Sequence, residues 1–263
     1  GENIVTITAD DGNGGVTTCD TTVTIIGEST TWNGGWDNGA PDAGKQAVFS
    51  SNYTTSTADI DACSCDIDSG TTVTIKDGDY MKIEGDITVD SGSKLIIEHQ
   101  GSLVQVDDNA SVLNNGTIEV KKTTPVNTHD SFSILGSPMS GTTRGGAYAA
   151  NNVVMNHDTN QFFLDDEVTA LDPLAVHFAD EFGNNWNFMD GVDQINVTEG
   201  YLVGPTTQSV NDGDYELNYN QGTLNNGVYT YDAMLHIDED NSANILSNPY
   251  ASAIKADDFM GLN

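Results

Sequence analysis

One stretch of this chain repeats itself. Ile67 to Lys76 reads Ile-Asp-Ser-Gly-Thr-Thr-Val-Thr-Ile-Lys, and Val89 to Glu98 reads Val-Asp-Ser-Gly-Ser-Lys-Leu-Ile-Ile-Glu, 22 residues later. Downstream, Gly78, Met81 and Ile83 correspond to Gly101, Val104 and Val106 at an offset of 23, and Val89 corresponds to Leu113 at 24. Each period holds three short alternating strands separated by Gly, Asp and Asn turns: 65–67, 73–75 and 81–83, then 87–89, 95–97 and 104–106, then 111–113 and 118–120. Three strands per coil of about 22–24 residues is the pattern of a short right-handed β-solenoid, in which each coil stacks on the one before. An antiparallel meander permits the same alternation, but similar coils at near-constant spacing favour the solenoid.

Alternation also assigns the two faces. The inward set is Cys65, Ile67, Val73, Ile75, Met81, Ile83, Ile87, Val89, Leu95, Ile97, Val104, Val106, Ile118 and Val120. Thr72, Thr74, Lys82, Thr88, Lys94, Gln105 and Glu119 point outward. Around this repeat the pattern changes. Residues 1–27 read as two strands joined by a turn at 10–15. Residues 28–60 are irregular and hold Trp32 and Trp36 in a Gly/Asn-rich loop, where tryptophans suit the open end of a core. The expected organisation is therefore a two-strand tail at 1–27, a Trp-rich cap plus β-solenoid at 28–125, and a β-rich unit at 126–263, truncated at its C-terminus. Strands are expected in the last unit at 131–135, 161–164, 201–203, 214–219, 228–231 and 234–237. Short helices are expected within 168–182 and 250–260.

Composition agrees with an all-β class. Thr, Asn, Gly and Asp are abundant, and these types favour strands and turns. With 40 acidic and 8 basic residues the net charge is −32, which argues against nucleic acid and anionic membranes as partners. No run approaches the roughly 18 apolar residues of a membrane span. Gly1 opens directly into strand-like sequence without a signal peptide, so the chain reads as a piece of something longer.

Hard carboxylate and carbonyl oxygens suit calcium. Three clusters qualify: Asp10, Asp11 and Asn13; Asp107, Asp108 and Asn109; and Asp238, Asp240 and Ser242. The last lacks the Gly and Glu of an EF-hand, having Ala243 and Pro249 instead. A solvated Asx turn is the plainer account of each. The repeat supplies a sharper case. Asp68 and Asp90 fall at one corner of adjacent coils, about 4.8 Å apart along the backbone ladder, and stacked like charges need solvent or a bridging cation. Calcium is thus the one cofactor the residues suggest.

Catalytic patterns are missing. Five histidines have no mutual ligand spacing, and no nucleophile elbow, P-loop or dinucleotide fingerprint occurs. Cys63 and Cys65 lie two apart in one strand and read as buried thiols. A polysaccharide lyase needs cations beside an acidic sugar, and the supply is Arg144 and seven lysines. Paired Asp/Glu for glycoside hydrolysis do not stand out. Thr72 and Thr74 resemble half of an ice-binding rank, which Lys94 and Ile96 then break. Exposed aromatics such as Trp32, Trp36, Tyr148 or Trp186 leave carbohydrate binding or degradation as the alternative to a non-enzymatic structural module.

The order of the motifs resembles a family. Trp32-Asn33-Gly34, Trp36 and Pro41 precede the Ser-Gly repeat, which ends in Asn114-Asn115-Gly116-Thr117-Ile118. Then come Ser131 to Pro138, Gly200-Tyr201-Leu202-Val203, Asn225-Asn226-Gly227, and Asn248 to Ile254. This order over 28–263 is similar to that of large secreted, adhesin-like proteins of Bacteroidota exported by type IX secretion. Residues 1–27, with Thr8 to Asp11 before Gly12-Asn13 and Cys19 in the next strand, resemble the last two strands of a hyalin-repeat or Ig-like domain. Ser247 departs from the glycine usual before Asn-Pro-Tyr, and the Asp content is unusually high. The resemblance implies a cell-surface or extracellular chain. Its expected partners are neighbouring domains of the same chain, surface glycans or other cell-surface proteins, and a partner for Cys19 upstream of Gly1.

Overall fold

A computed structural model describes residues 2–10, 12–14, 16–24, 27–124, 131–148, 152–159, 186–206, 216–235 and 243–261. The repeat folds as expected: parallel pairing makes a β-solenoid of about three turns. One face stacks β3 (Glu28–Trp32), β4 (Lys45–Phe49), β7 (Cys65–Ile67), β10 (Ile87–Val89) and β13 (Val112–Asn114). A second face stacks β5 (Tyr53–Thr54), β8 (Thr72–Ile75), β11 (Lys94–Ile97) and β14 (Thr117–Thr123). The third stacks β6 (Ile60–Ala62), β9 (Tyr80–Ile83) and β12 (Ser102–Gln105).

Inward columns are dry. Ala47, Cys65 and Ile87 lie in register, as do Phe49, Ile67 and Val89, then Tyr53, Val73, Leu95 and Ile118, and all are buried. Burial of these side chains supplies the driving force, about 1.5–3 kcal/mol for each large aliphatic residue. The Asp-Ser-Gly corners are possible because Gly70 and Gly92 adopt φ of 81° and 79°, a conformation glycine reaches without strain.

Three expectations are corrected. First, residues 28–60 are not irregular. They hold β3 to β6, and the solenoid starts one coil earlier, with Ala47 opposite Cys65 and Ile60 opposite Met81. Shorter coils, at offsets of 18 to 21, hid the period. Second, Val104 and Val106 are not inward. Leu103 pairs with Met81 at an offset of 22 and is buried, while Val104 and Val106 are 37% and 44% exposed. A one-residue slip exchanges the faces of a strand. Third, Val112 and Asn114, not 111 and 113, continue the columns of Ile87 and Val89 at an offset of 25, leaving Leu113 exposed. The corner between β12 and β13 is three residues longer than that between β9 and β10, and the following corner is two residues shorter.

The tail is an antiparallel hairpin, β1 (Glu2–Asp10) with β2 (Val16–Thr24), whose register runs from Glu2–Thr24 to Asp10–Val16. It forms a two-stranded sheet of its own.

The C-terminal half folds against the solenoid. Strands β15 (Ser133–Leu135), β19 (Tyr201–Thr206), β17 (Asn152–His157) and β18 (Trp186–Phe188) form an antiparallel sheet in that order. β16 (Met139–Ser140) pairs with β21 (Thr223–Leu224), and α1 (Arg144–Ala147) is a single turn. β20 (Glu216–Tyr219) pairs antiparallel with β14 and so extends the second solenoid face. α2 (Ala256–Met260) falls within the expected 250–260 helix. Residues 228–231 and 234–235 are not strands, and the strand and helix expected at 161–164 and 168–182 lie outside the described residues.

This half covers the three strand edges at the C-terminal end of the solenoid, those of β12, β13 and β14. β20 covers β14. On the first face, Thr223 Oγ1 donates to Val112 O (3.1 Å) and Asn114 Nδ2 to Gly222 O (2.9 Å). On the third, Leu103 N–H donates to Ala251 O (3.0 Å) and Ala253 N–H to Ser102 Oγ (3.4 Å). Unpaired strand edges invite pairing with other chains, and this arrangement removes them at one end. At the other end Trp32 packs edge-on against Tyr53 and Trp36 edge-on against Phe49, at ring separations of 5.1 and 5.4 Å, and Trp32 Nε1 donates to Asn52 O (3.1 Å).

Candidate functional site

Corner carboxylates and amides do structural work between coils. Asn52 Oδ1 accepts the N–H of Thr72 in the next coil (2.9 Å), Asp59 Oδ1 that of Tyr80 (2.9 Å), Asp77 Oδ1 that of Gln100 (2.8 Å) and Asp86 Oδ1 that of Ser111 (2.7 Å). Each satisfies a backbone donor that a corner takes out of the strand ladder. Much of the aspartate thus has a place in the fold.

Asp68 and Asp90 do occupy one corner of successive coils, for Asp68 N–H donates to Phe49 O and Asp90 N–H to Ile67 O, both at 3.0 Å. Asp68 also accepts from the Ser50 hydroxyl. Asp66, on the outward face of β7, accepts from Gln46 Nε2 (2.7 Å). Burial raises its carboxyl pKa, and the nearby Asp90 and Asp68 charges add to that. Asp107 forms an Asx turn, its Oδ1 accepting the N–H of Asn109 (2.9 Å). With Asp108 it lies in the corner insertion, where Asn226 Nδ2 of the cap donates to Asp107 O and Ala110 O (both 2.9 Å). Asn13 is exposed in the hairpin turn, and Asp10 ends β1. Asp11, Asp238 and Asp240 lie outside the described residues. Among the described residues, no group of three or more His, Cys, Asp or Glu converges as a metal site.

Of the residues weighed for catalysis or sugar binding, Arg144 is buried and its guanidinium donates to Asn152 O. Tyr148 is also buried, edge-on to Tyr219, and burial lifts its phenol pKa well above the ordinary value. Burial pushes Tyr219 up to about 12. Neither tyrosine presents a face to solvent. Cys65 is buried and Cys63 half-buried, both as free thiols.

The cap holds a cleft with no motif in the sequence. Two hollows meet at Thr198 and Tyr231, which line both. One, of about 690 Å³, is walled by Tyr229, Tyr250, Phe259, Leu246 and Pro249. Tyr229 and Tyr250 stand with centroids 5.9 Å apart and planes at 51°. The other, of about 470 Å³, is polar and is lined by Asn156, His157, Asp158, Asn187, Glu199 and Asp232. Its groups are braced. Glu199 Oε2 accepts from Tyr201 Oη (2.8 Å) and Asn196 Nδ2 (3.0 Å), and His157 lies edge-on to Trp186 at 5.0 Å, burial lowering its pKa. Thr198 has φ of 73°, and among the described residues it alone of the non-glycines has positive φ. The only sequence trace of this cleft is the tyrosine pair at 229 and 231 with the Asn-Pro-Tyr at 248–250. Residues as distant as 157, 199, 231 and 250 are gathered by tertiary structure alone.

A family profile described as a domain of unknown function (DUF8693) matches residues 26–263, and the chain belongs to that family. The match begins just before β3 and leaves out the hairpin. No curated protein and no solved structure matches this chain.

Proposed function

We propose that this member of the DUF8693 family is a non-enzymatic structural and adhesive module of a longer cell-surface or secreted protein. One observation carries the reading: a solenoid whose three strand edges at one end are all covered by the chain's own C-terminal half. Such a unit is stiff along its ladder and is shielded from edge-to-edge pairing at that end, as a spacer requires. The coil sense is taken as right-handed, the sense that twisted parallel strands favour in crossover connections. The β1–β2 hairpin is read as the end of an Ig-like neighbour, outside the matched family domain. The motif order and the anionic surface support export, by type IX secretion, to a setting without nucleic acid or membrane contact.

Protease treatment of intact cells that make the parent chain tests this. Release of fragments containing residues 26–263 is expected, and protection until lysis overturns the extracellular placement. Calcium enters the reading at one corner, where Asp68 and Asp90 occupy the same place in successive coils. A divalent ion there would relieve the like-charge contact. At fixed ionic strength the melting temperature is expected to be higher in calcium than in chelator, with the difference lost in Asp90→Asn. An unchanged melting temperature removes calcium from the account.

A further inference from the structure

We propose that the two-armed cleft in the cap binds a neutral oligosaccharide. The inference goes beyond the spacer role and does not rest on it.

Four observations converge on this site. Size comes first: the arms measure about 690 and 470 Å³, within the roughly 300–1,000 Å³ of ordinary ligand sites. The division of chemistry comes second. One arm offers the rings of Tyr229 and Tyr250 at 51° to each other, and the other offers the amides of Asn156 and Asn187 with the carboxylates of Glu199 and Asp232. A pyranose has an apolar face for an aromatic ring and a rim of hydroxyls that donate to carboxylates and exchange hydrogen bonds with amides. A flat apolar ligand would make no use of the polar arm, and a purely polar one would leave the tyrosine arm wet.

Charge is third. The polar arm carries Asp158, Glu199 and Asp232, and Lys255 beside the aromatic arm is tied to Asp258 at 2.9 Å. In a chain of net charge −32, an acidic glycan is repelled from this cleft. The fourth is Thr198. A β-branched residue at φ 73° is strained, and it sits at the junction of the arms, held by Ser247 N–H donating to its carbonyl (2.8 Å). Strain of this kind persists where the surrounding structure fixes a shape, and it clusters at ligand clamps.

The test uses the full chain with the hexaoses of cellulose, xylan, mannan, laminarin and chitin, and with an oligogalacturonate as acidic comparator. Calorimetric titration is expected to show saturable binding of at least one neutral hexaose and none of the oligogalacturonate. Tyr229→Ala is expected to weaken that binding at least tenfold, while Tyr229→Phe, which keeps the ring, holds it within about threefold. Saturation-transfer NMR on the unaltered protein gives an independent reading, with transfer from aromatic protons to the sugar rings expected. Absence of binding by every neutral hexaose overturns the proposal. So does equal binding of the acidic oligomer, unaffected binding in Tyr229→Ala, or a concentration-dependent dimer in sedimentation that Tyr229→Ala abolishes, since a second copy would then fill the cleft.

Discussion

Asp66 stands on the outward face of β7 with its carboxylate held by Gln46 and flanked by Asp68 and Asp90. Because burial and these neighbours raise its pKa, folding favours the neutral form. Its contribution to stability is complete below the carboxyl's ordinary pKa and is lost as pH rises through the raised folded value. Asp66→Asn is therefore expected to raise the melting temperature at pH 7, through a stability gain of less than about 1 kcal/mol because the site is part-exposed and screened. The advantage should vanish near pH 3, and thermal unfolding across pH 3–8 checks both the sign and the window. At the same scale Gly116 marks the shortened corner before β14. A Cβ there would fall against the carbonyl oxygens of Asp90 and Ser93, so the chain passes only as glycine.

Between residue and molecule, register decides which side chains are core. Leu103 and Val104 are adjacent aliphatic residues that the bare repeat cannot rank. Pairing with Met81 and Lys82 places the first inside and the second outside. Leu103→Ala is expected to cost about 2–5 kcal/mol, as large-to-small changes in cores do. Val104→Ala is expected to change stability by no more than about 0.5 kcal/mol. Denaturant melts of the two variants compare them directly, and equal losses would put the register in error. The inward columns of β7 to β11 were legible because the two Asp-Ser-Gly corners are equal in length. Those of β12 and β13 were not, because insertion of the Asp107–Asn109 corner and loss of two residues in the next one shift the pattern without changing its alternation.

For the whole molecule, the important relation is between the solenoid and its C-terminal half. Residues 1–124 alone would expose the edges of β12, β13 and β14 together with Leu103 and Val120, which are buried in the full chain. That fragment is expected to associate into large species in sedimentation, whereas the 263-residue chain stays monodisperse. A monodisperse, cooperatively melting fragment would mean that the cap is dispensable. The all-β class, the coil architecture and most of the aliphatic columns were legible in the sequence, since period-two alternation and turn chemistry are local properties written residue by residue. Where the solenoid begins, which edges are closed, and that Thr198, Tyr229, Glu199 and His157 share a cleft follow from the three-dimensional fold. Those relations join segments far apart in the chain, and no periodicity records a contact made across such separations.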